Sequence, residues 1–171
     1  TVLSRGLGDV YKRQMLDTMN FWMDHSLDNL IKIISKVDLI CINDEEVIQL
    51  SGCSNHDLGI KKILTMGPKY LIMKKGEYGA TLYSDESEFF CPSFKVKKVI
   101  DPTGAGDSFA GAFAGYLAES KNYTFEFISS ALIYANAVAS FCVEKFGIEN
   151  MLNIPKDEID KRISFIKKHN N

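Results

Sequence analysis

The chain has 171 residues, 46% of them hydrophobic and 25% charged, and a formal charge of −2. That is an ordinary globular composition, long enough for one domain with a sizeable core. The near-neutral charge and absence of long charge runs argue against a nucleic-acid partner, which would need a basic face. No uninterrupted apolar run has the length of a membrane span, so no membrane partner is expected. The four cysteines, Cys41, Cys53, Cys91 and Cys142, stand singly without a CxxC pair. A zinc site or a disulfide framework is therefore not expected, and reduced thiols of a cytoplasmic protein are.

Residues 1–14 carry neither strand alternation nor a helical stripe that continues into the rest of the chain. The string Asp9-Val10-Tyr11-Lys12-Arg13-Gln14 resembles the translation of a transposon adapter end used in sequencing-library preparation. This stretch is expected to be an assembly artefact, with the domain running over 15–171 and its own upstream part missing. Its net charge of +2 would leave −4 for the remainder.

From there, Met15 to Asn20 reads as the end of a strand. Ser26 caps a predicted helix to Lys36, with Leu27, Leu30, Ile31 and Ile34 on one face. Val37 to Ile42 is apolar enough for a strand buried on both sides. Asn43 caps a short helix, Asp44 to Leu50, ending near Gly52. A further helix spans His56 to Met66, stopped by Gly67-Pro68. Tyr70 to Met73 is the next buried strand, and turns at Gly76 to Gly79 and at Asp85 to Ser87 flank Ala80 to Tyr83. Phe89-Phe90 comes next, and Lys95 to Ile100 alternates as a half-buried strand. The loop Asp101 to Gly106 opens a helix to Glu119, and helices over Phe125 to Glu144 and Lys156 to Lys167 complete the chain. The basic residues near the end, Lys161, Arg162, Lys167 and Lys168, read as the solvated face of that last helix. Strands alternating with helices predict a layered α/β sheet, without repeats or linkers.

The strongest chemical signal is Asp101-Pro102-Thr103-Gly104-Ala105-Gly106-Asp107-Ser108-Phe109. Small residues where a strand hands over to a helix let backbone N–H groups approach a phosphate, and the helix N-terminus adds partial positive charge. An acid there would repel phosphate unless it has another task, such as taking a proton from an attacking hydroxyl. The alternative is a glycine-rich helix start with Asp107 as a first-turn acid. The loop is no Walker A, since GxxxxGK[ST] is absent. It is no dinucleotide fingerprint, since Phe109 occupies the third glycine position.

The block Asp-x-Thr-Gly-Ala-Gly-Asp-Ser-Phe resembles the carboxyl-terminal signature of the PfkB (ribokinase-like) carbohydrate kinases. The resemblance implies a three-layer α/β/α sandwich, truncated at its N-terminus, and ATP-dependent phosphoryl transfer to a sugar, sugar phosphate or nucleoside hydroxyl. It makes Asp107 the base, with Gly104, Ala105 and Gly106 as the anion hole. Asn43-Asp44-Glu45-Glu46 is similar to the family's Asn-x-x-Glu motif, which implies Asn43 and Glu46 near Mg²⁺ through water; a plain capping box accounts for the same residues. Lys74-Lys75-Gly76-Glu77-Tyr78-Gly79 resembles the family's nucleotide-side turn, with Lys74 where a Thr or small residue is common. Lys74 then either meets phosphate or points to solvent, and Gly76 and Gly79 equally suit a simple hairpin turn. Asn136 resembles a helix residue beside the adenine, and a buried, hydrogen-bonded polar group is the other reading. The family's Gly-Ala ending is here Gly147-Ile148.

The resemblance further implies a monovalent cation such as K⁺ near Asp101 and Thr103, and a homodimer of the whole enzyme. Asp17 and Asn20 would be the last trace of the acceptor side, so these residues alone are not expected to be active. A non-catalytic nucleotide-binding module of the same fold would keep the loops and need no base, and Asp107 argues against it.

Overall fold

The computed structural model describes residues 14–120 and 123–170. A five-stranded sheet runs in the order β1 (Met15–Asp17), β2 (Leu39–Asn43), β3 (Tyr70–Lys74), β4 (Ala80–Tyr83), β5 (Glu88–Cys91). The first three strands are parallel, and the last two pair antiparallel. Between β1 and β2 lie α1 (Asn20–His25) and α2 (Leu27–Ile34); between β2 and β3 lie α3 (Asp44–Ser51) and α4 (His56–Leu64). After the sheet come α5 (Ala105–Ala118), α6 (Phe125–Cys142) and α7 (Lys156–Lys168).

The alternation within each strand sorts the helices into layers. In β2, Leu39 and Cys41 join Ile72, Leu82, Phe109, Phe113, Leu132 and Ile166 on the face covered by α5, α6 and α7. Ile40 and Ile42 join Leu71, Met73, Met23, Leu30, Ile34, Val47, Leu50 and Ile63 on the face covered by α1 to α4. The continuous apolar character of β2 and β3 therefore reflects two buried faces, as parallel sheets require. The architecture is the expected α/β/α sandwich. α6 has the length and mean hydropathy of a membrane span, 1.4 over 18 residues, yet 61% of it is buried. Its apolar surface is spent on α5, α7 and the sheet.

Several expectations fail locally: Ser26 gives α2 no side-chain cap, and Arg162, expected on the solvated face of the last helix, is largely buried against Glu144 and Phe141. Met15 to Asn20 is not one strand: β1 stops at Asp17 and Asn20 starts α1, whose one buried residue, Met23, is too sparse a pattern to read as a helix. Lys95 to Ile100 forms no strand. Pro92, without an N–H, ends β5, and Phe94 turns to pack on Phe165 and under the Arg162 guanidinium. The segment then hands its backbone to α6, through Ile100 N–H to Val143 O at 2.7 Å and Asp101 N–H to the same oxygen at 3.3 Å. Residues 1–13 of the suspected artefact lie outside the described residues. Gln14 O accepts from the Asp38 and Leu39 N–H groups, and the Gln14 N–H donates to Asp38 Oδ2, which sets it beside β2.

Candidate active site

The carboxyl ends of the parallel strands and the start of α5 meet at one edge of the sheet. The last turns of α5, at Ala114, Leu117 and Ala118, line a cavity of about 170 Å³ with Met15, Leu39 and Tyr70, the first residues of their strands. α5 thus runs antiparallel to the strands, and its first turn lies towards their carboxyl ends. α6 runs the other way, because Phe125 at its start meets Tyr70 and Cys142 at its end meets the loop before α5. Crevices at the carboxyl ends of strands are where open α/β sheets bind ligands.

The β2–α3 junction has no connecting loop. Asn43 Oδ1 accepts from the Glu46 N–H at 2.8 Å, and the Asn43 N–H donates to Glu46 Oε2 at 2.8 Å, a complete capping box. Glu46 is only 4% exposed. Burial raises its carboxyl above the ordinary carboxylate range, against the Asn43 N–H and the Lys74 ammonium, which lower it. One carboxylate oxygen and the Asn43 amide NH₂ stay uncommitted by the cap, and they are what the junction offers a hydrated cation or a phosphate.

Lys74 ends β3 in register with Asn43. Its Nζ donates to Asp17 Oδ1 at 2.9 Å, reaching across the end of β2. Burial disfavours the ammonium, neighbouring Cys41, Asp17 and Glu46 favour it, and the balance lies above the ordinary lysine value. Burial pushes the Cys41 thiol up to about 12. Lys74 therefore neither points freely to solvent nor stands alone.

The turn after Lys74 closes with Lys75 N–H to Gly79 O at 2.8 Å. A Cβ on Gly79 would sit 2.1 Å from Cys91 O, so this glycine is required by the close approach of β5's end.

The loop ahead of α5 is held at both ends. Thr103 N–H donates to Asp101 Oδ1 at 3.0 Å. Hydrogen bonds from the Thr103 N–H and hydroxyl hold the Asp101 carboxyl below its ordinary range. Cys142 Sγ–H donates to Thr103 O at 3.5 Å. Gly104, at φ 79°, is the N-cap of α5 and supplies no side-chain cap. Ser108 N–H closes the first turn on Gly104 O at 2.9 Å, while Ala105 N–H turns back to Pro102 O at 3.2 Å. Of the expected anion-hole donors, Ala105 is thus engaged, and the first-turn N–H groups of Gly106 and Asp107 precede any helical acceptor. Asp107 is exposed on that turn.

Asn136 lies on α6 beside Cys91, which is in register with Ala80 and, through it, with Lys74 at the same end of the sheet. Its amide nitrogen is buried without a hydrogen-bond partner and faces the Cys91 sulfur; burial lifts that thiol to about 11, against the amide, which lowers it. The structure thus joins Asn43, Glu46 and Lys74 at one end of the sheet, with Gly104 to Asp107 towards the same end, where Gly79 and, beside Cys91, Asn136 also lie. Sequence reasoning misses the pairing of Asp17 with Lys74 and the Cys142 contact, since both arise from strand and helix order.

Comparison with known proteins agrees with the fold. The sequence model of the pfkB family carbohydrate kinases matches residues 9–155. A nucleoside kinase of Methanocaldococcus jannaschii is 33% identical over 148 residues, 85% of this chain and 44% of that protein. A ribokinase of Bacillus subtilis is 36% identical over 108 residues, 63% of this chain and 34% of that protein. The crystal structure of aminoimidazole riboside kinase from Salmonella enterica, complexed with aminoimidazole riboside and an ATP analogue, superposes with a TM-score of 0.76 at 25% identity, over 87% of this chain and 51% of that one. The chain spans less than half the length of the two curated relatives.

Proposed function

The chain belongs to the pfkB family of carbohydrate kinases, and we propose that it forms the nucleotide side of an enzyme that transfers the γ-phosphoryl group of ATP to a hydroxyl of a sugar, a sugar phosphate or a nucleoside. The observation that carries this reading is α5's start: a helix N-terminus with no side-chain cap, bearing the exposed carboxylate of Asp107 at the ligand-binding edge of the sheet.

In this reading Asp107 accepts the proton of the acceptor hydroxyl as its oxygen attacks in line. The N–H groups at Gly106 and Asp107, with the helix dipole behind them, face the charge on the transferring group. Lys74 meets the phosphates from the end of β3. Glu46 and Asn43 fit Mg²⁺ only through water, because the capping box already takes one carboxylate oxygen and the amide oxygen, and Mg²⁺ keeps several waters. When bound, Mg²⁺ supplies charge neutralisation on the phosphates. The monovalent site near Asp101 and Thr103 fits less well. Asp101 Oδ1 and the carbonyls of Thr103 and Val143 already accept hydrogen bonds within the chain, and no step is derived through such an ion.

The test is ADP release by the gene's full product with Mg²⁺ and ATP, against ribose, fructose, sugar phosphates and nucleosides. Acceptor-dependent release that Asp107→Asn abolishes supports the kinase and identifies its acceptor class. Tight ATP binding with no release on any acceptor would favour a non-catalytic nucleotide-binding module.

A further inference from the structure

β1 and β3 flank β2, and their last residues, Asp17 and Lys74, carry opposite charges that meet over β2's end. The contact is a short, direct ion pair between side chains 29% and 22% exposed, respectively. An isolated lysine at a strand end samples many rotamers, and the ammonium here has two acids within range, Asp17 and Glu46. What the pair achieves is placement. It ties the ammonium to Asp17 at the carboxyl end of the strands, while Glu46 stays in its reciprocal cap with Asn43.

Resting on the kinase reading, we infer that Asp17 is a positioning residue: its carboxylate holds the Lys74 ammonium over the end of β2, where Lys74 receives the terminal phosphates of the nucleotide. Asp17 itself touches no phosphate. This assigns to β1 a part in nucleotide binding, although it neighbours neither the glycine turn nor the α5 loop.

The sign of one substitution separates this from the alternatives. Asp17→Asn removes a negative charge from the neighbourhood of a polyanion, so electrostatics alone would tighten ATP binding. Loss of positioning weakens it instead. Calorimetric titration of the gene's full product, without acceptor, with ATP, ADP and adenosine reads the difference. Asp17→Asn is expected to weaken ATP and ADP binding about 10-fold, the scale of one misplaced charge-assisted contact, and to leave adenosine unchanged. Lys74→Met is expected to give a loss of similar size, and the double substitution no further loss. Asp17→Glu, which retains the charge, should recover most of the affinity. Tighter or unchanged ATP binding in Asp17→Asn overturns the inference, as does an equal loss for adenosine, which would mark a folding defect. Failure of the unsubstituted protein to bind ATP overturns the kinase reading itself, and this inference with it.

Discussion

Two helices begin close to the same edge of the sheet, and they begin in opposite ways. α3 closes its own N-terminus: Asn43 and Glu46 exchange backbone hydrogen bonds, and three acids occupy the first turn. α5 leaves its N-terminus open: Gly104 offers no side chain, and the only acid in the first turn, Asp107, is exposed. A closed terminus has its cap donors already committed and carries acids that repel an anion, so a hydrated metal suits it better than a bare phosphate. An open terminus presents donors and a positive dipole end directly. In the proposed reading the direct anion contact falls to α5 and the indirect one to α3. The acids at the two places differ in setting, Glu46 being a buried cap and Asp107 exposed.

Substitutions that act on one terminus and spare the other sharpen the contrast. The largest effect is expected from Asp107→Asn, a fall in kcat of about 10²–10⁴-fold with an unchanged melting temperature, because the side chain is exposed; steady-state kinetics beside a thermal melt would show it, and near-normal turnover would remove Asp107 from the chemistry. Gly104→Val comes next. A β-branched residue at φ 79° carries backbone strain of about 1–3 kcal/mol, although the nearest contact of a new Cβ, Cys142 Sγ at 3.8 Å, leaves room for it. Urea denaturation should therefore record a loss from conformation, and ATP affinity should drop with it; a fully stable variant would show that the loop does not need the left-handed residue.

On the closed side, Asn43→Ala should lower stability by about 0.5–2 kcal/mol through loss of the cap, again by urea denaturation. Glu46→Gln should behave differently. The folded carboxyl titrates above its ordinary value of 4.5, so the folded state holds the proton more tightly than the unfolded one. Wild-type stability relative to the Gln variant should then decline as pH rises from about 4.5 through the raised folded value. At neutral pH the variant should be at least as stable as wild type, yet need more Mg²⁺ for half-maximal ADP release. A wild type that gains stability on the variant over the same pH rise would reverse the sign assigned to this burial.

The smallest effect is expected at Asp101, whose carboxyl is shifted the other way. Its stabilising contribution is present above the ordinary value of 3.8 and lost as pH falls through the lower folded value. Asp101→Asn should therefore lower the melting temperature slightly at neutral pH and converge with wild type in strong acid.

Much of this is legible in residue order because it is local chemistry. The capping box at Asn43 and Glu46 needs only a three-residue spacing, the glycines before Asp107 announce a helix start without a side-chain cap, and the apolar runs of β2 and β3 state that both faces are covered. Residue order misleads where local pattern and tertiary partner disagree. Lys95 to Ile100 alternates like a strand, but a strand exists only if another strand accepts its hydrogen bonds, and α6 takes them instead. Lys74 can be placed at a strand end from its sequence, but its partner cannot, because Asp17 lies 57 residues away and becomes its neighbour only when β2 is inserted between their strands. Short-range hydrogen bonding and side-chain period are written into the order of residues; which distant charges meet depends on strand order and register, and those are settled by packing the whole sheet.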